Sequence, residues 1–184
     1  FKPGQEPKEL YIGTAGISDE SYRRLVVDWR SPVAEVYYNQ DNGKTSYEAN
    51  GRTIDCELKL RRQFDIERDQ LKALFDTTIA IQDEMLLAAL AQNRSSRLSA
   101  ITATIQKEQN EVIRHEDVPA LLVSGIAGSG KTSVLLQRIA YLFYRQRDTL
   151  KPEDVFLITP NPVFQRYIEN VLPEMGESNP SSIS

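Results

Sequence analysis

Gly125-Ile126-Ala127-Gly128-Ser129-Gly130-Lys131-Thr132 fits the pattern G-x-x-x-x-G-K-[ST], whose residue types suit the grip of a triphosphate. Glycines let the backbone curl until successive N–H groups converge on phosphate oxygens, and the positive end of a following helix reinforces them. Gly128 and Gly130 serve that curl. Lys131 is expected to reach the β and γ phosphates as a point charge, and the Thr132 hydroxyl to complete the coordination of a bridging Mg2+ ion. On this reading Lys131 and Thr132 are the catalytic candidates and Thr132 is the metal ligand. Gly125, Ile126, Ala127, Gly128, Ser129, Gly130, Lys131, Thr132 and Ser133 together line the nucleotide, which is expected to be ATP.

Other residues with chemical potential have plainer readings. Thr78-Ile79-Ala80-Ile81-Gln82-Asp83-Glu84 imitates an apolar strand ending in a magnesium-binding acidic pair, but the apolar positions through Leu90 continue a helical face. Asp19-Glu20, Glu116-Asp117 and Glu153-Asp154 read as solvated charge in turns, and Lys59-Leu60-Arg61-Arg62 as a solvated strand end. Trp29 reads as core. Tyr141, Phe143 and Tyr144 read as packing against a sheet, and His115 as the close of a helix, where a cation suits the dipole. Cys56 has no partner for an internal disulfide and falls on the alternating face of Ile54, Leu58 and Leu60, which reads as a buried thiol. With His115 and Cys56 as the soft ligands of the sequence, a zinc site is excluded.

The elements that must position the loop follow from periodicity. Tyrosine, valine and isoleucine runs separated by turn chemistry predict strands over residues 9–60. Asn42-Gly43 and Asn50-Gly51 tolerate positive φ, so residues 33–40, 44–49 and 52–60 are expected to form an antiparallel meander, with a further strand over 25–29. Pro32 marks a bend or an edge. From Phe64 to His115 the pattern reads as helical: Ile81, Met85, Leu86, Ala89 and Leu90 make one apolar face. After a break at Asn93-Arg94-Ser95-Ser96, a second helix runs to Arg114 with Ile101, Ile105, Val112 and Ile113. Then come a strand over 120–124, the glycine loop, a helix over 131–147, a strand over 155–159 and a helix over 162–175. That succession builds a parallel sheet. The predicted class is α/β, with an antiparallel β meander platform over 1–62, connecting helices over 63–103 and a partial P-loop NTPase unit over 104–184.

Charged residues make up 26% of the 184-residue chain, and the net charge of −4 offers nucleic acid no broad attraction. The sequence has neither a long apolar run nor a cationic, apolar leader, so no membrane partner and a cytoplasmic location are expected. The absence of an initial methionine and the polar final residues lead us to expect a piece of a longer protein.

Upstream of the loop, Thr104-Ile105-Gln106-Lys107-Glu108-Gln109-Asn110-Glu111-Val112-Ile113 resembles the glutamine motif of superfamily 1 helicases of the UvrD and Rep type, with Gln109 at the position of their glutamine. A glutamine amide pairs two edges of adenine at once and so suits selection of ATP. The loop itself is their Walker A motif, and the RecA-like parallel sheet is the fold this implies. Arg138 and Ile139 also match the UvrD-type pattern. Two positions depart from it. Ser133 stands where these helicases usually place an arginine against adenine, and Pro160 replaces an aromatic on which a base stacks, a contact worth about 1–3 kcal/mol.

These departures, with Tyr11-Ile12-Gly13, Val27-Asp28-Trp29-Arg30-Ser31-Pro32 and the stretch from Pro160 to Glu177, resemble the HelD family of bacterial RNA polymerase-associated motors. The resemblance covers almost the whole chain. It implies an ATP-dependent protein that binds RNA polymerase, frees it from nucleic acid and helps recycle it. It also implies coiled-coil arms before Phe1 and after Ser184. The acidic pair and the arginine that such motors need for hydrolysis have no equivalent past Val155, so the chain as given is expected to bind ATP and turn it over poorly. The alternatives are an ATP-dependent DNA helicase or translocase of the UvrD or helicase IV type, with DNA as partner, and a binding module in which the loop merely retains a nucleotide.

Overall fold

The computed structural model describes residues 6–39, 43–76, 105–116, 118–159, 161–174, 177 and 181–183. Strand β3 (Arg24–Asp28) lies at the centre of a small sheet, parallel to β1 (Tyr11–Gly13) and antiparallel to β2 (Ile17–Ser18). Tyr11 faces Val26 and Gly13 faces Asp28 in register. Burial rises along β3: Arg24 and Leu25 are exposed, whereas Val27, Asp28 and the following Trp29, Arg30 and Ser31 are buried. The strand thus delivers its C-terminal end into the interior.

Beyond Ser31 the structure departs from the expected meander. Residues 32–34 form a 3-10 turn leading into helix α1 (Glu35–Tyr38), where the sequence predicted a strand. Pro32 sits at the first position of that turn, where its fixed φ favours helical geometry and its missing N–H is harmless. The turn carries Ala34 and Tyr38 into the core, and this packing overrides the β preference of Val36, Tyr37 and Tyr38. The Asn50-Gly51 hairpin forms as predicted. Strands β4 (Gly43–Ala49) and β5 (Arg52–Leu58) pair antiparallel around a turn with φ of 53° at Asn50 and 69° at Gly51.

A second ribbon replaces the start of the expected helical region. Strands β6 (Arg62–Glu67) and β7 (Gln70–Asp76) pair antiparallel, with a register shift between Asp65 and Ile66. The turn between them puts Arg68 at φ 58°, a left-handed conformation normally left to glycine, so the hairpin carried no turn signal in the sequence. The predicted helical face from Ile81 to Leu90 lies outside the described residues. Helix α2 (Lys107–Arg114) realises the described part of the next predicted helix and buries Ile113; Ile105, just before it, is buried as well.

Residues 120–124 form no strand, contrary to expectation: the segment lacks a ladder partner among the described residues, and Leu122 is 92% exposed. Helix α3 (Lys131–Arg145), strand β8 (Phe156–Ile158) and helix α4 (Pro162–Glu174) follow the predicted order. Strand β8 pairs in parallel with β9 (Ser181–Ile183), from the polar terminal run for which the sequence predicted nothing. The described chain is therefore mixed α and β, with small sheets. Its core gathers Trp29, Ala34 and Tyr38 with Ile105, Ile113, seven side chains of α3 and β8 (Val134, Leu136, Ile139, Ala140, Tyr141, Phe143 and Leu157), and Ile168, Val171 and Leu172 of α4. Among the described residues no helix is long and apolar enough to cross a membrane.

Candidate functional site

The 125–132 segment is a loop that turns into α3 through a left-handed glycine. Gly128 and Gly130 have φ of 80° and 82°, and Gly130 is the N-cap of α3. A side chain at Gly130 is disfavoured by its left-handed φ, and a Cβ there would stand 3.1 Å from Gln109 Nε2, which would have to give way slightly. At Gly125 a Cβ would meet Ser129 Oγ at 2.6 Å, so the serine hydroxyl would have to turn away. The Ser129 amide donates to Ile126 O at 3.2 Å and closes the curl. The first bond within α3 runs from Val134 N–H to Gly130 O at 2.9 Å, so the amides of Lys131, Thr132 and Ser133 have no acceptor inside the helix.

Lys131 folds back over this curl. Its ammonium donates to Gly125 O at 2.8 Å and to Ile126 O at 2.7 Å, which places the positive charge at the mouth of the loop. Thr132 and Ser133 are half-buried on the first turn, while Ile126, Ala127 and Gly128 are exposed. Gln109 lies beside them. Its Oε1 accepts from Gln106 N–H at 3.1 Å at the start of α2, and its Nε2 donates to Ser129 O at 3.4 Å. The structure thus brings together every site residue selected from the sequence on the loop and on α2.

Helices α2 and α3 run side by side in the same direction. Gln109 is near Ser129; further on, Arg138 Nη1 donates to Val112 O at 2.9 Å and to Ile113 O at 3.3 Å, taking up carbonyls that the end of α2 leaves open. At the far end Glu116 accepts from Tyr141 Oη at 2.6 Å and from Arg145 Nε at 2.8 Å. Burial works against the Glu116 carboxylate, but these two donors outweigh it and hold the carboxyl below its ordinary value. Tyr141 is pushed up to about 12, by burial first and by the neighbouring carboxylate second. Glu116 is therefore a structural partner and not the solvated charge the sequence suggested.

The buried segment from Val27 to Ser31 is docked against the far ends of these helices. Arg30 makes a two-pronged pair with Asp28, Nε to Oδ1 at 2.9 Å and Nη2 to Oδ2 at 2.7 Å, and its other nitrogen donates to Glu177. Its guanidinium also lies 4.9 Å from the Tyr144 ring centre. Burial raises the Glu177 carboxyl, and the Arg30 charge only partly offsets this. Arg114, in the last turn of α2, donates to Trp29 O at 2.7 Å and to Arg30 O and Ser31 O at 3.3 Å each. Asn110 Nδ2 donates to Asn39 Oδ1 at 2.9 Å and Asn110 Oδ1 accepts from Arg114 Nε at 2.9 Å. Sequence reasoning passed over Asn39, Asn110 and Arg114; the signal available was the i, i+4 spacing of Asn110 and Arg114.

Trp29 is core, as predicted, at 1% exposure. Arg61 is not a solvated strand end: it is buried and donates to Tyr37 O at 3.1 Å, because the chain turns inward between β5 and β6. Cys56 is half-buried, not buried, since its ribbon has no covering layer among the described residues, and what burial it has pushes the thiol up. His115 is the C-cap of α2 and is exposed. Pro160 and the Asp83-Glu84 pair lie outside the described residues.

The family model described as DNA helicase IV HelD, N-terminal domain, matches residues 1–96, and that of the UvrD/REP helicase N-terminal domain matches residues 105–161. The second match contains Gln109, the glycine loop, α3 and β8. Two curated relatives, each an ATP-dependent DNA helicase PcrA from a strain of Staphylococcus epidermidis, are 39% identical over 62 residues. That match covers 34% of this chain and spans 8% of the length of each relative.

Proposed function

The chain belongs to the family of the DNA helicase IV HelD N-terminal domain, and we propose that it is the nucleotide-binding part of a helicase-like motor, holding ATP and Mg2+ at its glycine loop. The observation that carries this reading is the Lys131 ammonium, which spans the carbonyls of Gly125 and Ile126 beside the first turn of α3. The residues fit a triphosphate: the positive charge, the free N–H groups of the first turn of α3 and the left-handed glycines converge on one exposed mouth.

Lys131 would hold β and γ phosphate oxygens in place of its loop carbonyls, with the amides of Gly128, Ser129, Gly130, Lys131 and Thr132 as further donors, and the Thr132 hydroxyl would hold the magnesium. That ion supplies neutralisation of phosphate charge when bound. Gln109 would hold adenine through its side-chain amide, and Ser133 would offer the base no stacking of the kind an arginine gives. The nucleotide lobe belongs to a RecA-like parallel sheet in the full-length protein, to which β8 contributes a strand.

In the full-length protein this unit serves an ATP-dependent motor that acts on RNA polymerase, releasing it from nucleic acid; the Val27 to Pro32 block and the missing strand-stacking aromatic at Pro160 support that choice. The platform over 1–62 is the protein-binding side and residues 104–184 the nucleotide side. The chain as given binds ATP and hydrolyses it poorly. A second reading, a DNA translocase, draws support from the PcrA relatives. Salt-dependent binding of single-stranded DNA by the full-length protein, with no capture of RNA polymerase, favours the second over the first.

Isothermal titration tests the shared premise. A charged hydrogen bond of this kind contributes about 1.5–3 kcal/mol, so Lys131→Ala is expected to weaken ATP binding by at least about tenfold. Equal affinity in that variant overturns the assignment of the loop.

A further inference from the structure

Helix α2 has eight residues, too few to hold its own orientation in water, so whatever ties it down also aims its side chains. Its first turn carries Gln109 against the phosphate loop, with Nε2 3.4 Å from Ser129 O. Its last turn carries Arg114, about 7.5 Å further along the axis at 1.5 Å per residue. The ties at that end come from another part of the chain. Arg114 reaches three consecutive carbonyls, of Trp29, Arg30 and Ser31, and it also holds the Asn110 side chain that meets Asn39. Trp29 and Arg30 are themselves immobilised, one in the core and the other in its pair with Asp28 and Glu177. Tyr141 stacks under Arg114, 5.2 Å from its ring centre, which prevents the guanidinium from turning aside.

We infer that Arg114 is a positioning residue for base recognition: it sets the angle of α2, and so the reach of Gln109, against the backbone of residues 29–31. The inference rests on the reading of the loop as an ATP site and extends it to the source of base selectivity. It makes the front block a determinant of which nucleotide is preferred, through α2. Arg138 supports the same geometry from α3, but it binds carbonyls of α2 and moves with the loop helix. Arg114 is the contact that refers the base-reading amide to a separate part of the molecule.

The test is titration of the full-length protein with ATP, GTP and inorganic tripolyphosphate. Arg114→Ala is expected to lower the preference for ATP over GTP by about three- to tenfold, the loss of about one hydrogen bond, and to leave tripolyphosphate binding within about twofold. Arg114→Lys, which keeps the charge but replaces the guanidinium fork with a single nitrogen, recovers part of the preference. Asn39→Ala, which removes only the side tie to Asn110, shifts the ratio the same way by a smaller amount, and it decides the matter should Arg114→Ala fail to fold. Lys131→Ala lowers affinity for all three ligands. An unchanged ATP:GTP ratio in folded Arg114→Ala, or in Asn39→Ala where that variant decides, overturns the positioning role. Undiminished binding by Lys131→Ala overturns the site itself.

Discussion

The Val27 to Ser31 block and the 125–132 loop are joined by α2, yet they use opposite physics. In the block, the backbone is closed by side chains: Trp29 is in the core, Arg30 is neutralised by two carboxylates, and Arg114 takes the carbonyls. In the loop, the backbone is left open. Glycines replace side chains, helix amides lack acceptors, and Ile126 is 82% exposed. The block uses its charged groups and backbone carbonyls within the fold, and the loop leaves its backbone exposed. Stability and binding should therefore respond to different substitutions.

The sharpest break of this contrast is Trp29→Ala, which empties a site at 1% exposure and is expected to reduce stability by about 3–5 kcal/mol in urea denaturation. A loss below about 1 kcal/mol would mean that the block merely rests on the helices. Glu116→Gln probes the charges between α2 and α3. The Glu116 carboxyl is lowered in the folded chain, so its contribution is present above its ordinary value of 4.5 and is lost as pH falls through the folded value. The variant should lose stability at neutral pH, and the gap from the parent protein in thermal melts should close as pH falls below 4.5. A gap constant with pH would assign the effect to packing. The smallest change is expected in the loop. Ile126→Ala should leave the melting free energy within about 0.5 kcal/mol. A larger loss would show that the loop, too, carries the fold.

The loop, α3, α4 and the Asn50-Gly51 hairpin were legible because their signals are local: a spacing, a period, a pair of residues that accepts positive φ. What the sequence hid depends on distant partners. Residues 33–38 have the composition of a strand and became helical because Ala34 and Tyr38 had a core to enter. The β6–β7 ribbon was read as helical because Arg68, not glycine or asparagine, occupies the left-handed turn position. Residues 120–124 have the apolar character of a strand, but a strand exists only with a neighbour to pair with. Within the site, the loop residues and Gln109 were found by motif. Arg114 was missed because a cation in a last helical turn has an ordinary explanation in the helix dipole.

The link between Arg30 and Glu177 joins residues separated by 147 positions. During synthesis at about 5–20 residues per second, Arg30 is added roughly 7–30 seconds before its second carboxylate exists. Until then a guanidinium destined for the interior has Asp28 alone to balance it. Glu177 is thus the last member of this ion pair to be made, after every residue of α2, α3 and α4 that packs with Trp29 in the core.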